Sequence, residues 1–199
     1  MGRIYALDSC VLIEALSNRN GACLARLKEF GQHVVETKSL IVIPAPVLAE
    51  YLQGPPPGLG TWNIAQARHD VKHLLKAAMV ADVTEAAANR CAEMARGPSA
   101  TKARTSMERS LRDRGASRAA ARQMVKMDWL IMATAETAGA SVIFTNEAEA
   151  GRWSQFTAGI LRNLSVEDWA RMPHPSGAPQ RPHSPRSQAS QGTLFPSGG

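Results

Sequence analysis

The chain has 199 residues and a mass of 21.4 kDa, the size of one ordinary domain with or without a tail. With 44% hydrophobic and 20% charged residues it can bury a core, which excludes wholesale disorder. The net charge of +6 is concentrated, because residues 96–126 carry nine basic side chains against Glu108 and Asp113 and so hold +7 by themselves.

That concentration suits either a polyanionic partner such as nucleic acid or a solvated helix face. The longest apolar stretch, Leu40 to Ala49, has ten residues and two prolines, too few for a membrane span. A strand-like run begins at Arg3, so no secretory leader is expected. Cys10, Cys23 and Cys91 are odd in number and lack metal-like spacing, which suits a reducing cytoplasm.

Ile4-Tyr5-Ala6-Leu7 reads as a short buried strand that ends at Asp8-Ser9. Val11 to Leu16 continues as an apolar turn or helix, and Ala22 to Phe30 as a second helix stopped by Gly31. Leu40-Ile41-Val42-Ile43 is apolar throughout, as a strand covered on both faces should be. Pro44 ends it, and Pro46 fits the first turn of a helix carrying Glu50. Gln53 to Gly60 holds three prolines and three glycines and is a loop.

Ile64, Ala67, Val71 and Leu74 have helical spacing within Trp62–Met79, and a short strand is expected over Val80–Val83. A helix over Glu85–Arg96 precedes the basic segment. Asp128 is then expected to open a strongly apolar helix, Trp129 to Ala138, stopped by Gly139. Ser141-Val142-Ile143-Phe144 is the third clear strand, followed by Thr145-Asn146-Glu147. Strands alternating with helices imply an α/β fold, a central parallel sheet flanked by helices in three layers. The domain is expected to span residues 1–172. Residues 173–199, with six prolines, five serines and four glycines, are expected to be a disordered tail.

Ligands of an open parallel sheet bind beyond the carboxyl ends of its strands. Asp8, Glu50 and Glu147 fall there by sequence, and Asp128 sits before the strand that leads to Glu147. Asp128 alone would serve as a helix cap, and Glu50 alone as a solvent-facing residue. Asp8 is different: a carboxylate set between two apolar runs needs a cation or hydrogen-bond donors. Four carboxylates without histidine or cysteine suit Mg²⁺ or Mn²⁺ rather than zinc. Two such ions about 4 Å apart can activate water and stabilise both oxygens of an in-line phosphodiester displacement. The basic segment would hold the phosphate backbone, with Arg112, Arg114, Arg118, Arg122 and Lys126 as the expected nucleic-acid contacts.

The pieces IYALDSCVLIEAL, IVIPAPVLAEYL and MDWLIMATAETAGASVIFTNE, in that order, resemble the PIN-domain family of metal-dependent ribonucleases, in particular its VapC-type toxins. The resemblance runs across most of residues 3–170. It implies a Mg²⁺- or Mn²⁺-dependent endoribonuclease with Asp8, Glu50, Asp128 and Glu147 as catalytic metal ligands and Ser9, Thr145 and Asn146 in support. The family more often has Asp at the fourth position, so Asn146 competes with Glu147 there. A cognate antitoxin and a homodimer are also implied. The alternatives are a PIN nuclease of cellular RNA processing or DNA metabolism, and a non-catalytic RNA-binding PIN module.

Haloacid dehalogenase-like phosphatases need a second Asp where Cys10 stands, and receiver domains need an acidic pair and a late lysine that are absent. His69 and His73 lack the Glu and third ligand of a zinc protease site. Glu14, Asp82 and Glu136 read as surface carboxylates, and Trp129 and Trp153 as packing residues. In the tail, Gln191, Leu194 and Phe195 are similar to peptides that bind the bacterial sliding clamp, a candidate further contact.

Overall fold

A computed structural model describes residues 2–17, 21–54, 63–96, 98–146, 149–153 and 159–175. Five strands, β1 (Ile4–Leu7), β2 (Leu40–Pro44), β3 (Met79–Ala81), β4 (Val142–Thr145) and β5 (Ser165–Asp168), form one parallel sheet in the order β3-β2-β1-β4-β5. The fold is the expected PIN-like α/β sandwich.

The helices are α1 (Ser9–Leu12, continued by a π-turn over Ile13–Ser17), α2 (Gly21–Glu36), α3 (Ala45–Gln53), α4 (Ile64–Leu74), α5 (Glu85–Arg96), α6 (Pro98–Asp113) and α7 (Arg118–Thr137). Parallel crossovers are right-handed. The β1-to-β2 and β3-to-β4 connections run in opposite directions along the sheet, so α2 and α7 cover opposite faces. On the α2 face, Tyr5 of β1 and Phe144 of β4 both meet Phe30 edge to face, with ring centroids 5.1 and 5.3 Å away. Such pairs add about 0.5–1.5 kcal/mol each beyond the area they bury. On the other face α7 packs on β2 and is flanked by α3, α5 and α6.

Several boundaries differ from those read in the sequence. Helix α2 passes through Gly31, because burying Phe30 and Val34 outweighs the roughly 1 kcal/mol that a mid-helix glycine costs. It ends instead near Lys38, which takes a left-handed φ of 51°. Helix α7 begins ten residues before Asp128, with Ser117 accepting from the Ala120 amide at 3.2 Å as its cap. Ala, Arg, Gln, Met and Lys in residues 118–127 are good helix formers, and Ala121 and Val125 extend the buried stripe backwards. Asp128 therefore lies mid-helix, which rules out a capping role. Strand β5 was not legible because Ser165-Val166-Glu167-Asp168 is short, polar and only half-buried.

Glu136 is no surface carboxylate. It pairs with Arg90 at 2.5 Å, both side chains being at most 10% exposed, and also accepts from the Asn163 amide at 3.1 Å. Arg90 donates in turn to the Ile160 carbonyl at 2.6 Å. These bonds tie α5 and α7 to the turn that feeds β5. Arg90→Ala leaves Glu136 buried without its cation and is expected to lower stability by about 3–5 kcal/mol in urea denaturation.

Candidate metal and catalytic site

In a doubly wound sheet the ligand crevice opens where the strand order reverses. Here that point lies between β1 and β4. Asp8 leaves the end of β1, its amide donating to the Phe144 carbonyl at 2.9 Å, and its carboxyl group is 2% exposed. It occupies the N-cap position of α1 yet makes no capping bond. Its Oδ2 accepts instead from Thr145 Oγ1 at 2.7 Å, across the crevice. Ser9 Oγ donates to Oδ1 at 3.4 Å and is shared with Glu50. Ser9 and Thr145, the expected supporting hydroxyls, are therefore both on the Asp8 carboxylate.

Glu50 projects from α3, just beyond the end of β2. Burial raises its pKa, the Ser9 hydrogen bond opposes that shift, and the Asp8 charge adds to it. Asp128 comes from the middle of α7. Burial raises its pKa to about 7 against the attraction of Arg152, and the charges of Asp8 and Glu50 push it further up. Asp8, Glu50 and Asp128 thus share one low-dielectric space, in which the Asp8 charge opposes ionisation of Glu50 and both oppose that of Asp128. Cys10 belongs to the same space: burial first, then the Asp8 carboxylate, lift its thiol pKa well above the ordinary value.

Two further residues were not anticipated from the sequence. Arg152, in the helical residues 149–153 after β4, donates Nη2 to Asp128 Oδ2 at 3.1 Å and to Glu149. Glu149 also pairs with Arg114 at 3.6 Å. The strand-end rule that selected Glu147 extends naturally to this stretch, but an i,i+3 Glu–Arg pair reads as ordinary surface. Asn146 Oδ1 accepts from the Glu149 amide at 2.9 Å and so shapes the turn. Glu147 lies outside the described residues.

Among the described residues no three ligating side chains are grouped as an ion-binding set. The chemistry of the donors nevertheless fits a hard divalent cation. Asp8, Glu50 and Asp128 offer only carboxylate oxygens, they repel one another when ionised, and one of them already carries a guanidinium as stand-in cation. A divalent ion held by these residues would offset two of the three charges.

Four of the five expected RNA contacts, Arg112, Arg118, Arg122 and Lys126, line one cavity between α5, α6 and α7. Arg114 stands apart on Glu149. His69 and His73 lie side by side on α4 with tilted rings whose centroids are 4.4 Å apart, and Glu14 accepts from Trp169 Nε1 at 3.0 Å. The tail residues Gln191, Leu194 and Phe195 and most of the loop expected at 53–60 lie outside the described residues. Among the described residues no helix is long and apolar enough to cross a membrane.

Neither the models of known protein families nor the curated proteins give a match to this chain. Among solved structures, VapBC-1 from nontypeable Haemophilus influenzae superposes with a TM-score of 0.50 at 19% identity, over 84% of this chain and 99% of that one. A structure of VapBC2 from Rickettsia felis bound to a DNA fragment from their promoter gives 0.48 at 19% identity, over 83% and 98%. The VapBC-1 match establishes a shared fold.

Thr145→Val keeps the shape of the side chain and removes the donor to a buried carboxylate. It is expected to cost about 1–3 kcal/mol, measured by urea denaturation in EDTA, and unchanged stability would mean that Asp8 is held by other groups.

Proposed function

We propose that this chain is a PIN-family endoribonuclease of the VapC type, hydrolysing RNA phosphodiester bonds with Mg²⁺ or Mn²⁺. The observation that carries the proposal is the convergence of Asp8, Glu50 and Asp128 at the switch point of a PIN-like parallel sheet, with Thr145 locking Asp8 in place. Bound there, the metal would polarise the attacking water and neutralise charge building on the phosphate. The chain's own part is to hold and orient. Ser9 and Thr145 fix the Asp8 oxygens, Glu50 and Asp128 close the cradle from α3 and α7, and Glu147 is the proposed fourth carboxylate, with Asn146 in support. Arg112, Arg114, Arg118, Arg122 and Lys126 would attract the polyanionic substrate.

A cognate antitoxin and a homodimer belong to the same reading, and the fold shared with a VapBC-1 chain is compatible with both. A cytoplasmic location belongs to the same reading. The contact between Arg152 and Asp128 supports a second reading, a non-catalytic RNA-binding module whose cation site is filled from within.

The two readings separate in one assay. On a mixed pool of single-stranded RNA, cleavage by the purified protein should require Mg²⁺ or Mn²⁺ and stop in EDTA. Asp8→Asn should lower the rate by about two orders of magnitude or more, beyond what losing an outer-sphere partner costs, while circular dichroism stays unchanged. Equal cleavage by the variant and the parent would overturn the nuclease assignment.

The pKa of Asp128 gives a pH dependence in the metal-free protein. A proton and a metal compete for this carboxylate, which is mostly ionised at pH 8 and mostly protonated at pH 6. Mn²⁺ affinity, read by electron paramagnetic resonance, is expected to be weaker at pH 6 than at pH 8 by about tenfold. A flat profile would place the ion away from Asp128.

A further inference from the structure

The cavity between α5, α6 and α7 has a volume of about 540 Å³. Arg104, Arg109, Arg112, Arg118, Arg122 and Lys126 line it, and Glu108 is the one carboxylate among them. Glu108 is shared at 3.8 Å by Arg104 and by Arg122, so it offsets a single charge of the six. Cations gathered around a concavity repel one another and concentrate a positive field there. Arginine forks are moreover shaped for bidentate contact with phosphate oxygens.

A second observation is independent of charge. Trp129 forms part of the same wall, is 3% exposed, and its Nε1 is buried with no hydrogen-bond partner among the described residues. Indole N–H groups usually find an acceptor when buried, because an unmet donor costs stability. Cys91 and Ala95, both partly exposed, add an apolar patch to the lining, which suits the face of a base better than it suits water. The volume is also within the range of small-ligand pockets.

We propose that this cavity is a nucleotide-binding subsite, in which the arginines hold the phosphate and the wall around Trp129 receives the base. Placing it on the RNA strand rests on the ribonuclease reading above; the recognition itself is of a nucleoside phosphate, whether in RNA or free. The position on α7 supports the link. Trp129 directly follows Asp128 and Lys126 precedes it by two residues, so this end of the cavity wall and Asp128 lie within about 3 Å of each other along the helix axis. The subsite would hold a neighbouring nucleotide while the scissile phosphate lies at Asp8 and Asp128.

The test uses the full chain in EDTA, where RNA is not cleaved. Adenosine 5′-monophosphate is titrated calorimetrically, and a fluorescent single-stranded RNA hexamer is followed by anisotropy. One saturable site for the monophosphate is expected, with competition against the hexamer, and binding of inorganic phosphate should be at least tenfold weaker. The double variant Arg118→Ala/Arg122→Ala should weaken both ligands at least tenfold without changing the melting temperature. It should also reduce the slope of log Kd against log salt for the hexamer by about 1.4. Trp129→Phe should weaken the monophosphate several-fold while leaving inorganic phosphate unaffected.

Three results would each overturn the proposal. These are inorganic phosphate competing as well as the monophosphate, a hexaglutamate peptide displacing the hexamer more effectively than the monophosphate does, and the arginine double variant binding the monophosphate like the parent. The ribonuclease reading fails separately. Monophosphate binding without any metal-dependent cleavage would keep the subsite and remove the enzyme, and EDTA-sensitive cleavage without monophosphate binding would do the reverse.

Discussion

The architecture of the site depends on one hydrogen bond, from Thr145 to the buried carboxylate of Asp8. The two residues are 137 positions apart and meet because β1 and β4 are neighbours only in the order β3-β2-β1-β4-β5. An ionised carboxylate at 2% exposure is unfavourable unless donors or cations surround it. Ser9 supplies a second hydroxyl and Thr145 the shorter bond. The topology therefore creates a place where negative charge can be buried, and the same topology brings Glu50 and Asp128 to it from α3 and α7.

The consequence is electrostatic. In a common low-dielectric environment the charges of Asp8 and Glu50 raise the proton affinity of Asp128, whose pKa is driven to about 7 even beside Arg152. Such a cluster is stabilised by a cation. The protein provides one in Arg152, braced through Glu149 to Arg114, and the oxygen-only donor set is matched to a divalent one. Separating acidic crevice from basic cavity also makes chemical sense. A metal cradle needs its negative charge undiluted, whereas a polyanionic strand needs cations beside the cradle rather than inside it. Helix α7 carries both sets, with Asp128 on one aspect and Arg118, Arg122 and Lys126 in the cavity wall.

Much of this was legible in the residues. The apolar runs Ile4–Leu7, Leu40–Ile43 and Val142–Phe144 have no solvent-facing alternation, so they read directly as strands of a covered parallel sheet. Once they do, the strand-end rule picks out Asp8, and the helix after β2 contributes Glu50. The mid-helix place of Asp128 was not legible, because it depends on a helix whose first half is polar and alanine-rich rather than apolar. Arg152 and Glu149 were missed since a local Glu–Arg pair carries no signal until β4 is known to aim it at Asp128. Glu136 was misread as surface because only the tertiary fold places Arg90 of α5 against it. Strand β5 escaped for want of apolar residues, being an edge strand stabilised mainly by its backbone ladder with β4.

The central claim is that these dispersed acids cooperate on one ion. Diffraction from crystals grown with Mn²⁺, with data collected at the manganese absorption edge, tests it most directly. An anomalous peak is expected about 2.0–2.3 Å from oxygens of both Asp8 and Asp128, with the Arg152 guanidinium displaced from, or confined to the outer oxygen of, Asp128. Manganese bound only elsewhere on the surface, with Arg152 still occupying the crevice, would contradict it.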